Sequence, residues 1–320
     1  MMKITVAIPT YRRPQDVVRC LEALKKQNRP ADEVIVVVRD TDTATWDFIK
    51  QYDPEHLPLK TATVTITGVV AAMNAGLVAA TGDIIVYTDD DAAPHADWLE
   101  RIEPYYEDET VGGVGGRDYV YEGDRFRDPG KAATTVGKVQ WFGRQIGNHH
   151  IGIGEAREVD LLKGVNMSFR RSAIEKMGFD IRMKGTGAQV HFEMGCCLSL
   201  RRDGWKLIYD PQIAVDHHHA QRFDEDKRGK FNYLAASNKV HNETLLLLEH
   251  LTGLRRSVFI IWVVLVGTRD HRGIVQFLRF LPKEGTLAWQ QLQASLDGRW
   301  QAWQYWRKYG NQNSYPPSRT

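Results

Sequence analysis

Asp89, Asp90 and Asp91 are three consecutive carboxylates at the end of a short apolar run, Ile84, Ile85, Val86 and Tyr87. Such a run reads as a buried strand of an α/β sheet. Ligands of open α/β sheets bind outside the carboxyl ends of strands. Like charges crowded at a strand tip are costly unless a positive charge sits among them. A hard divalent cation meets both conditions, since Mg²⁺ or Mn²⁺ takes carboxylate oxygens together with phosphate oxygens of a substrate. The plainer reading of three aspartates is a solvated acidic turn, with Pro94 opening a helix a few residues later.

The preceding residues alternate between strand and helix patterns. Residues 3–9 form an expected strand ending in Pro9-Thr10-Tyr11-Arg12-Arg13, and Pro14 opens a helix with Val17, Val18, Leu21 and Leu24 on one face. Residues 33–38 are a β-branched strand, followed by Thr43 as N-cap of a helix reaching residue 52. Residues 59–66 form a third strand and 69–80 an Ala-rich helix. Strands alternating with helices imply a parallel sheet with crossover connections. Beyond residue 108 strands are expected at 111–121, 161–170, 205–209 and 213–215, with a helix over 190–202. Residues 122–158 read as long Gly-rich loops in which His149 and His150 are surface residues. The chain after His217, His218 and His219 is mainly helical, with segments at 231–251 and 258–267.

Composition narrows the class. Among 320 residues, 42% are apolar and 26% charged, which describes a folded domain with a real core. A formal net charge of +2 supplies no basic field, so no nucleic-acid partner is expected. Cys20, Cys196 and Cys197 lack metal-ligand spacing, and their small odd number fits a reducing compartment. No apolar run approaches the roughly 18 residues of a membrane span, and the first residues lack a signal-peptide layout. The expectation is a cytoplasmic protein, or one peripheral at the inner face of a membrane.

Several short motifs occur in a set order: Ala7-Ile-Pro-Thr-Tyr-Arg12, Ala72-Met-Asn-Ala-Gly-Leu77, Thr88-Asp-Asp-Asp-Ala92 with Trp98-Leu99, Gly164-Val-Asn-Met-Ser-Phe-Arg-Arg171, Glu193 ahead of Leu200-Arg-Arg-Asp-Gly-Trp205, and Tyr209-Asp-Pro211 before His217. Over residues 3–220 the chain resembles family 2 glycosyltransferases. The resemblance implies a GT-A fold: a mixed, mostly parallel sheet flanked by helices, here with a helical C-terminal appendage. Residues 1–220 would be the catalytic domain and 221–320 the helical region. The implied reaction is inverting transfer of a hexose-type sugar from a nucleotide-diphosphate donor, a uridine nucleotide by expectation. The acceptor would be a hydroxyl of a glycan, a lipid-linked molecule or a small molecule.

The same resemblance assigns roles. Asp89 and Asp91 match the ends of the family's Asp-X-Asp motif, with Asp91 and His217 as metal ligands and Asp89 on metal or ribose; the cofactor would be Mn²⁺ or Mg²⁺, imidazole favouring Mn²⁺. Asp90, pointing to the other side of the extended segment, would join the donor set or be merely structural. Pro9, Thr10, Tyr11 and Arg13 would line the nucleotide site, and Arg13 reads equally as a solvated helix-start residue. Asp40 or Asp42 would recognise the base, although Val38-Arg-Asp-Thr-Asp42 departs from the family pattern. Asp83 and Asn74 join the donor set, while Met73 replaces a frequent arginine. Gly164 and Asn166 would face the acceptor. Glu193 is the expected general base; Phe192 stands where the family usually carries an acidic residue. A helix-surface glutamate is the plainer alternative. Trp289, Trp300, Trp303 and Trp306 in a basic, helical end suggest either an interfacial helix pair on a membrane or packing on the core or a second subunit. Two rivals remain. A nucleotidyltransferase would need a Gly-rich, lysine-bearing phosphate loop, which Pro9-Thr-Tyr-Arg12 is not, and a non-catalytic scaffold would keep the fold without a working base.

Overall fold

The structure, a computed structural model, describes residues 1–123, 125–227 and 229–310; the last ten residues of the expected helical region lie outside them. The first half follows the β-α alternation. β1 (Ile4–Thr10), α1 (Pro14–Lys25), β2 (Glu33–Arg39), α2 (Thr43–Gln51), β3 (Leu59–Val64), α3 (Val69–Ala79) and β4 (Ile84–Thr88) succeed one another. β1, β2 and β4 bury nearly every residue because helices cover both faces, which is why they read as continuous apolar runs. β3 has only exposed and half-buried positions because it is the sheet's outer edge.

Past β4 come β5 (Ala92–Pro94), α4 (Trp98–Ile102), β6 (Val111–Glu122), β7 (Arg125–Phe126), β8 (Lys138–Val139), β9 (Gln145–Ile146), β10 (Arg157–Val159), β11 (Asn166–Arg170), α5 (Arg171–Ile174), α6 (Phe192–Arg202) and β12 (Lys206–His218). The main sheet has the order β10-β12-β6-β11-β4-β1-β2-β3, with β5 on β12 and β7 on β6. β1 is parallel to β2 and β4, whereas β11 enters antiparallel between β4 and β6. The chain order thus switches beside β4, the place where an open sheet leaves a crevice at its strand ends. One face packs Val17, Leu21 and Trp98 against Ile4, Val6 and Ile8. The other packs Met73, Phe169 and Phe179 against Met194 and Leu200.

Among the described residues four helices follow β12: α7 (Tyr233–His250), α8 (Gly253–Leu265), α9 (Ile274–Glu284) and α10 (Thr286–Tyr309). Leu245, Phe259 and Ala302 belong to the same buried cluster as Met73 and Phe169, so these helices pack directly on the sheet domain. Helices α7 and α10 approach closely at Gly298, where a Cβ would stand 2.4 Å from the Ser237 carbonyl oxygen.

Four local expectations are corrected. Pro94 does not open a helix: it ends β5, opposite Val215 of β12, and α4 begins at Trp98. The two strands expected at 205–209 and 213–215 are one, β12, interrupted by a register shift between Asp210 and Ala214. Asp42, rather than Thr43, caps α2, accepting from Thr45 N. His149 is buried, its Nε2 3.0 Å from the Leu161 carbonyl oxygen, so it is a core residue. The β12 irregularity also explains Gly116, whose Cβ would fall 1.8 Å from Ile213 O. Gly116→Ala should therefore destabilise the fold by at least about 2 kcal/mol in denaturant titration. Gly147→Ala, whose nearest neighbour is 4.0 Å away, should change stability by less than about 0.5 kcal/mol.

Candidate active site

The β5–β12 pairing builds the site. It sets His217 opposite Ala92, one residue beyond the acidic triplet, while His218 N donates to Asp91 O at 2.8 Å. His217 Nε2 then lies 3.3 Å from Asp91 Oδ1, and its Nδ1 lies 3.5 Å from Asp118 Oδ2, at ion-pair rather than ideal hydrogen-bond geometry. Asp118 is completely buried and takes a hydrogen bond from Lys163 Nζ. Burial acts to lower the His217 pKa, but contacts with Asp118 and Asp91 outweigh it and push it up to about 9. Burial acts to raise Asp91, yet His217, Ala220 N and Arg13 hold it well below the usual carboxylate range. Asp118 is likewise held low against burial by Lys163 and His217.

Asp89, Asp91 and His217 present ligand atoms within 4.8 Å of one another. Two carboxylates and an imidazole suit Mn²⁺ better than the oxygen-demanding Mg²⁺. The second nitrogen of His217 faces the Asp118 carboxylate, the arrangement that orients a metal-bound histidine. The donor set therefore fits a divalent cation.

Asp90 has a different duty. It turns away from His217, accepting from Thr10 Oγ1 at 2.8 Å and pairing with Arg13 Nη1 at 2.9 Å. Burial raises its pKa, with Arg13 opposing and the Asp91 charge adding. Arg13 also donates from Nε to Gln221 O at 2.9 Å. It is thus a strut between the strand tip and the segment after β12, and neither a solvated residue nor an uncommitted phosphate ligand.

A cavity of about 310 Å³ opens above these residues. Pro9, Thr10, Tyr11 and Arg13 wall one side, Gly68, Val69 and Ala72 another, and Asp89, Asp90 and Asp91 line its base. The segment after β12 crosses over it. Phe223 meets Tyr11 edge-on, ring centroids 6.4 Å apart, and Asp224 Oδ2 accepts from Ala188 N at 2.7 Å. Gly187 is required under this strap, because a Cβ would sit 1.8 Å from Asp224 Oδ2.

Glu193 lies in the first turn of α6, behind Phe192, which lines the cavity. Part of the residue remains accessible, but its carboxyl is deep enough that burial pushes its pKa up to about 7. Lys163 opposes that rise and Asp89 adds to it. Gly164 makes room for the aromatic ring: a Cβ there would be 2.9 Å from Phe192 Cζ.

Other expected site residues are spent elsewhere. Asn166 is buried; its amide donates to Arg117 O and Ile213 O and accepts from Trp98 Nε1. It splices strands and helix α4, with its amide committed to those three partners. Asn74 exchanges two hydrogen bonds with the Phe179 backbone. Asp83 accepts from Lys3 N at the opposite end of β4 from the acidic tip. Asp42 is consumed by Arg12 N, Thr45 N and Thr45 Oγ1. Asp40 is 41% exposed at the end of β2, beside Arg39 of the cavity wall and outside the lining itself. Met73 is a core residue.

Sequence reasoning passed over Asp118, Lys163, Arg39, Arg222 and Phe223. Lys163 precedes the Gly164 motif and Gln221-Arg-Phe223 follows the histidines by two residues, so proximity to motifs was the available signal. Asp118 carried none, since only the pairing of β6 with β12 brings it to His217.

Residues 5–206 match glycosyl transferase family 2. The chain is 30% identical over 192 residues to glycosyltransferase AglE of Haloferax volcanii, the match spanning 59% of each protein. It is 26% identical over 229 residues to the glucosyl-dolichyl phosphate glucuronosyltransferase of the same organism, covering 68% of this chain and 69% of that protein. Among solved structures it resembles a mannosyltransferase from Pyrobaculum calidifontis in complex with GDP-Man and Mn²⁺, with TM-score 0.54, 20% identity, and coverage of 98% and 77%. That likeness bears out the GT-A architecture.

The Glu193 environment has a measurable consequence. The folded carboxyl keeps its proton up to about 7, while an unfolded glutamate releases it near about 4.3. Stability present below the ordinary value is therefore lost as pH rises towards about 7. Glu193→Gln cannot ionise and should exceed wild type in stability above that window by up to about 4 kcal/mol. Below about pH 4 the two should converge in urea unfolding.

Proposed function

This chain belongs to glycosyl transferase family 2, and we propose that it transfers a sugar, with inversion, from a nucleoside-diphosphate donor to a hydroxyl acceptor. The observation that carries this reading is the pairing of a divalent-cation donor set, Asp89, Asp91 and His217, with a carboxyl poised near neutrality at Glu193. When bound there, a Mn²⁺-type ion neutralises charge on the diphosphate leaving group.

The protein's own residues do the rest. Tyr11 and the backbone after β1 seat the nucleotide base, and Arg222 and Arg39 supply cavity cations for the diphosphate. Glu193 takes the acceptor hydroxyl proton as that oxygen bonds to the anomeric carbon and the bond to the diphosphate oxygen breaks. A general base works best with a pKa near the working pH, which is what burial supplies to Glu193. A uridine nucleotide is the proposed donor class, with guanosine diphosphate as its comparison because the Pyrobaculum structure carries GDP-Man.

A lipid-linked acceptor is proposed for a second reason. Helix α9 buries none of its residues: Ile274, Val275, Leu278 and Leu281 are all exposed, beside Arg279 and Lys283. No described helix is long and apolar enough to cross a membrane. An exposed apolar stripe with basic neighbours suits the surface of an anionic bilayer, and one similar protein is named for a dolichyl phosphate substrate.

Two outcomes test these readings. Glu193→Gln should lower sugar transfer by roughly 10²–10⁴-fold with donor affinity intact, and wild-type turnover should fall about tenfold per pH unit below about 7. Turnover unchanged in the variant would remove Glu193 from the mechanism. Co-sedimentation with phosphatidylglycerol vesicles should be strong for wild type and lost in Leu278→Glu; equal sedimentation of both would exclude α9 as the contact.

A further inference from the structure

A second cluster of metal-ligating side chains lies outside the donor site, where the C-terminal helices meet α6. His191 immediately precedes α6, Glu243 projects from α7, and His271 sits in the loop between α8 and α9. One ligand atom from each lies within 4.8 Å of the other two. His271 Nδ1 is 2.5 Å from Glu243 Oε2, and the rings of His191 and His271 stand 5.6 Å apart at 75°. All three residues are partly shielded, with the side chains of His271 and Glu243 14% and 13% exposed.

Three further observations separate this cluster from an ordinary polar contact. His191 Nε2 is buried without a hydrogen-bond partner among the described residues, a state that buried polar atoms rarely tolerate. His191 also holds a left-handed backbone, φ 76°, a strain that persists only where the surroundings impose it. The other two groups have orienting partners. Gln145 Nε2 donates to Glu243 Oε1 at 2.7 Å. The His271 loop is closed by paired bonds with Thr268, and Arg299 Nη2 donates to its carbonyl at 3.0 Å.

We propose that His191, Glu243 and His271 form a second metal site, of the Zn²⁺ class, that staples the C-terminal helices to the N-terminus of α6. Two imidazoles and one carboxylate are a three-ligand zinc set that leaves a fourth position for water. Two residues beyond His191 along the chain is Glu193. A metal held at this site would fix the start of α6, with His191 as a positioning residue that takes no part in proton transfer. The site is independent of the donor cation, since none of its ligands belongs to the Asp89, Asp91 and His217 set.

The test uses the full chain and Co²⁺ or Zn²⁺ alone, with no nucleotide. Wild type titrated with Co²⁺ should develop the intense visible absorption of tetrahedral nitrogen–oxygen coordination. Asp91→Asn should give the same spectrum. After Zn²⁺ loading and desalting, both proteins should retain about one equivalent by elemental analysis. His191→Gln and His271→Gln, checked for folding by circular dichroism, should bind at least about tenfold more weakly. Absence of the tetrahedral spectrum in wild type overturns the proposal without recourse to any variant at the site. So does undiminished zinc retention in folded His271→Gln. Loss of the spectrum in Asp91→Asn would assign the bound ion to the donor site and likewise overturn it.

Discussion

The chain of charges Lys163–Asp118–His217–Asp91, buried at all but its Lys163 end, is the interaction on which the site depends. Taking several charges out of water is costly, and an unpaired member would be strongly destabilising. Each charge here faces its opposite: the Lys163 ammonium on Asp118, Asp118 on one nitrogen of His217, and Asp91 on the other. Four separate strands or loops must arrive in register for this to happen. β6 brings Asp118, the turn before β11 brings Lys163, β12 brings His217 and the end of β4 brings Asp91. The mixed part of the sheet, with β11 antiparallel between β4 and β6, is therefore a requirement of the site as much as of the core.

The relay also explains why three adjacent aspartates behave differently. Asp91 faces His217 and is held low, Asp90 is turned to Thr10 and Arg13, and Asp89 joins Asp91 and His217 at the ligand cluster. Arg13 in turn reaches Gln221, so the strand tip and the strap over the cavity are mechanically joined. The strap holds the Gly-rich approach to α6 through Asp224 on Ala188 and Glu225 on Thr186. That approach ends at His191, next to Phe192 and Glu193. Polar contacts thus run from the acidic tip to the approach to α6 at Thr186 and Ala188, and a few residues further along the chain burial keeps the Glu193 carboxyl near neutrality.

Periodic features were legible in the sequence, and committed polar side chains were not. The runs at β1, β2 and β4 were readable because full burial leaves an unbroken apolar signature. The acidic triplet was readable because three adjacent carboxylates at the end of an apolar run are unusual, whereas His217 and Glu193 were singled out only by the family resemblance. Asn166 and Asn74 looked functional, but each had its hydrogen-bonding capacity taken up by distant backbone, at Ile213 and Phe179. Asp42 was spent capping α2 in the same way. Asp118 and Arg222 went unnoticed because strand pairing and the course of the strap, neither of which has a local pattern, bring them to the site. Pro94 misled for a related reason: pairing with β12 overrode a residue that commonly starts helices.

The central claim is that the acidic tip and His217 hold a cation that carries a nucleoside diphosphate. Calorimetric titration of uridine and guanosine diphosphates into wild type and Asp91→Asn, each with Mn²⁺ and with chelator, tests it directly. The account predicts Mn²⁺-dependent binding of one nucleotide to wild type, weakened at least about tenfold in the variant. Binding of equal strength with chelator, or in Asp91→Asn, would contradict it.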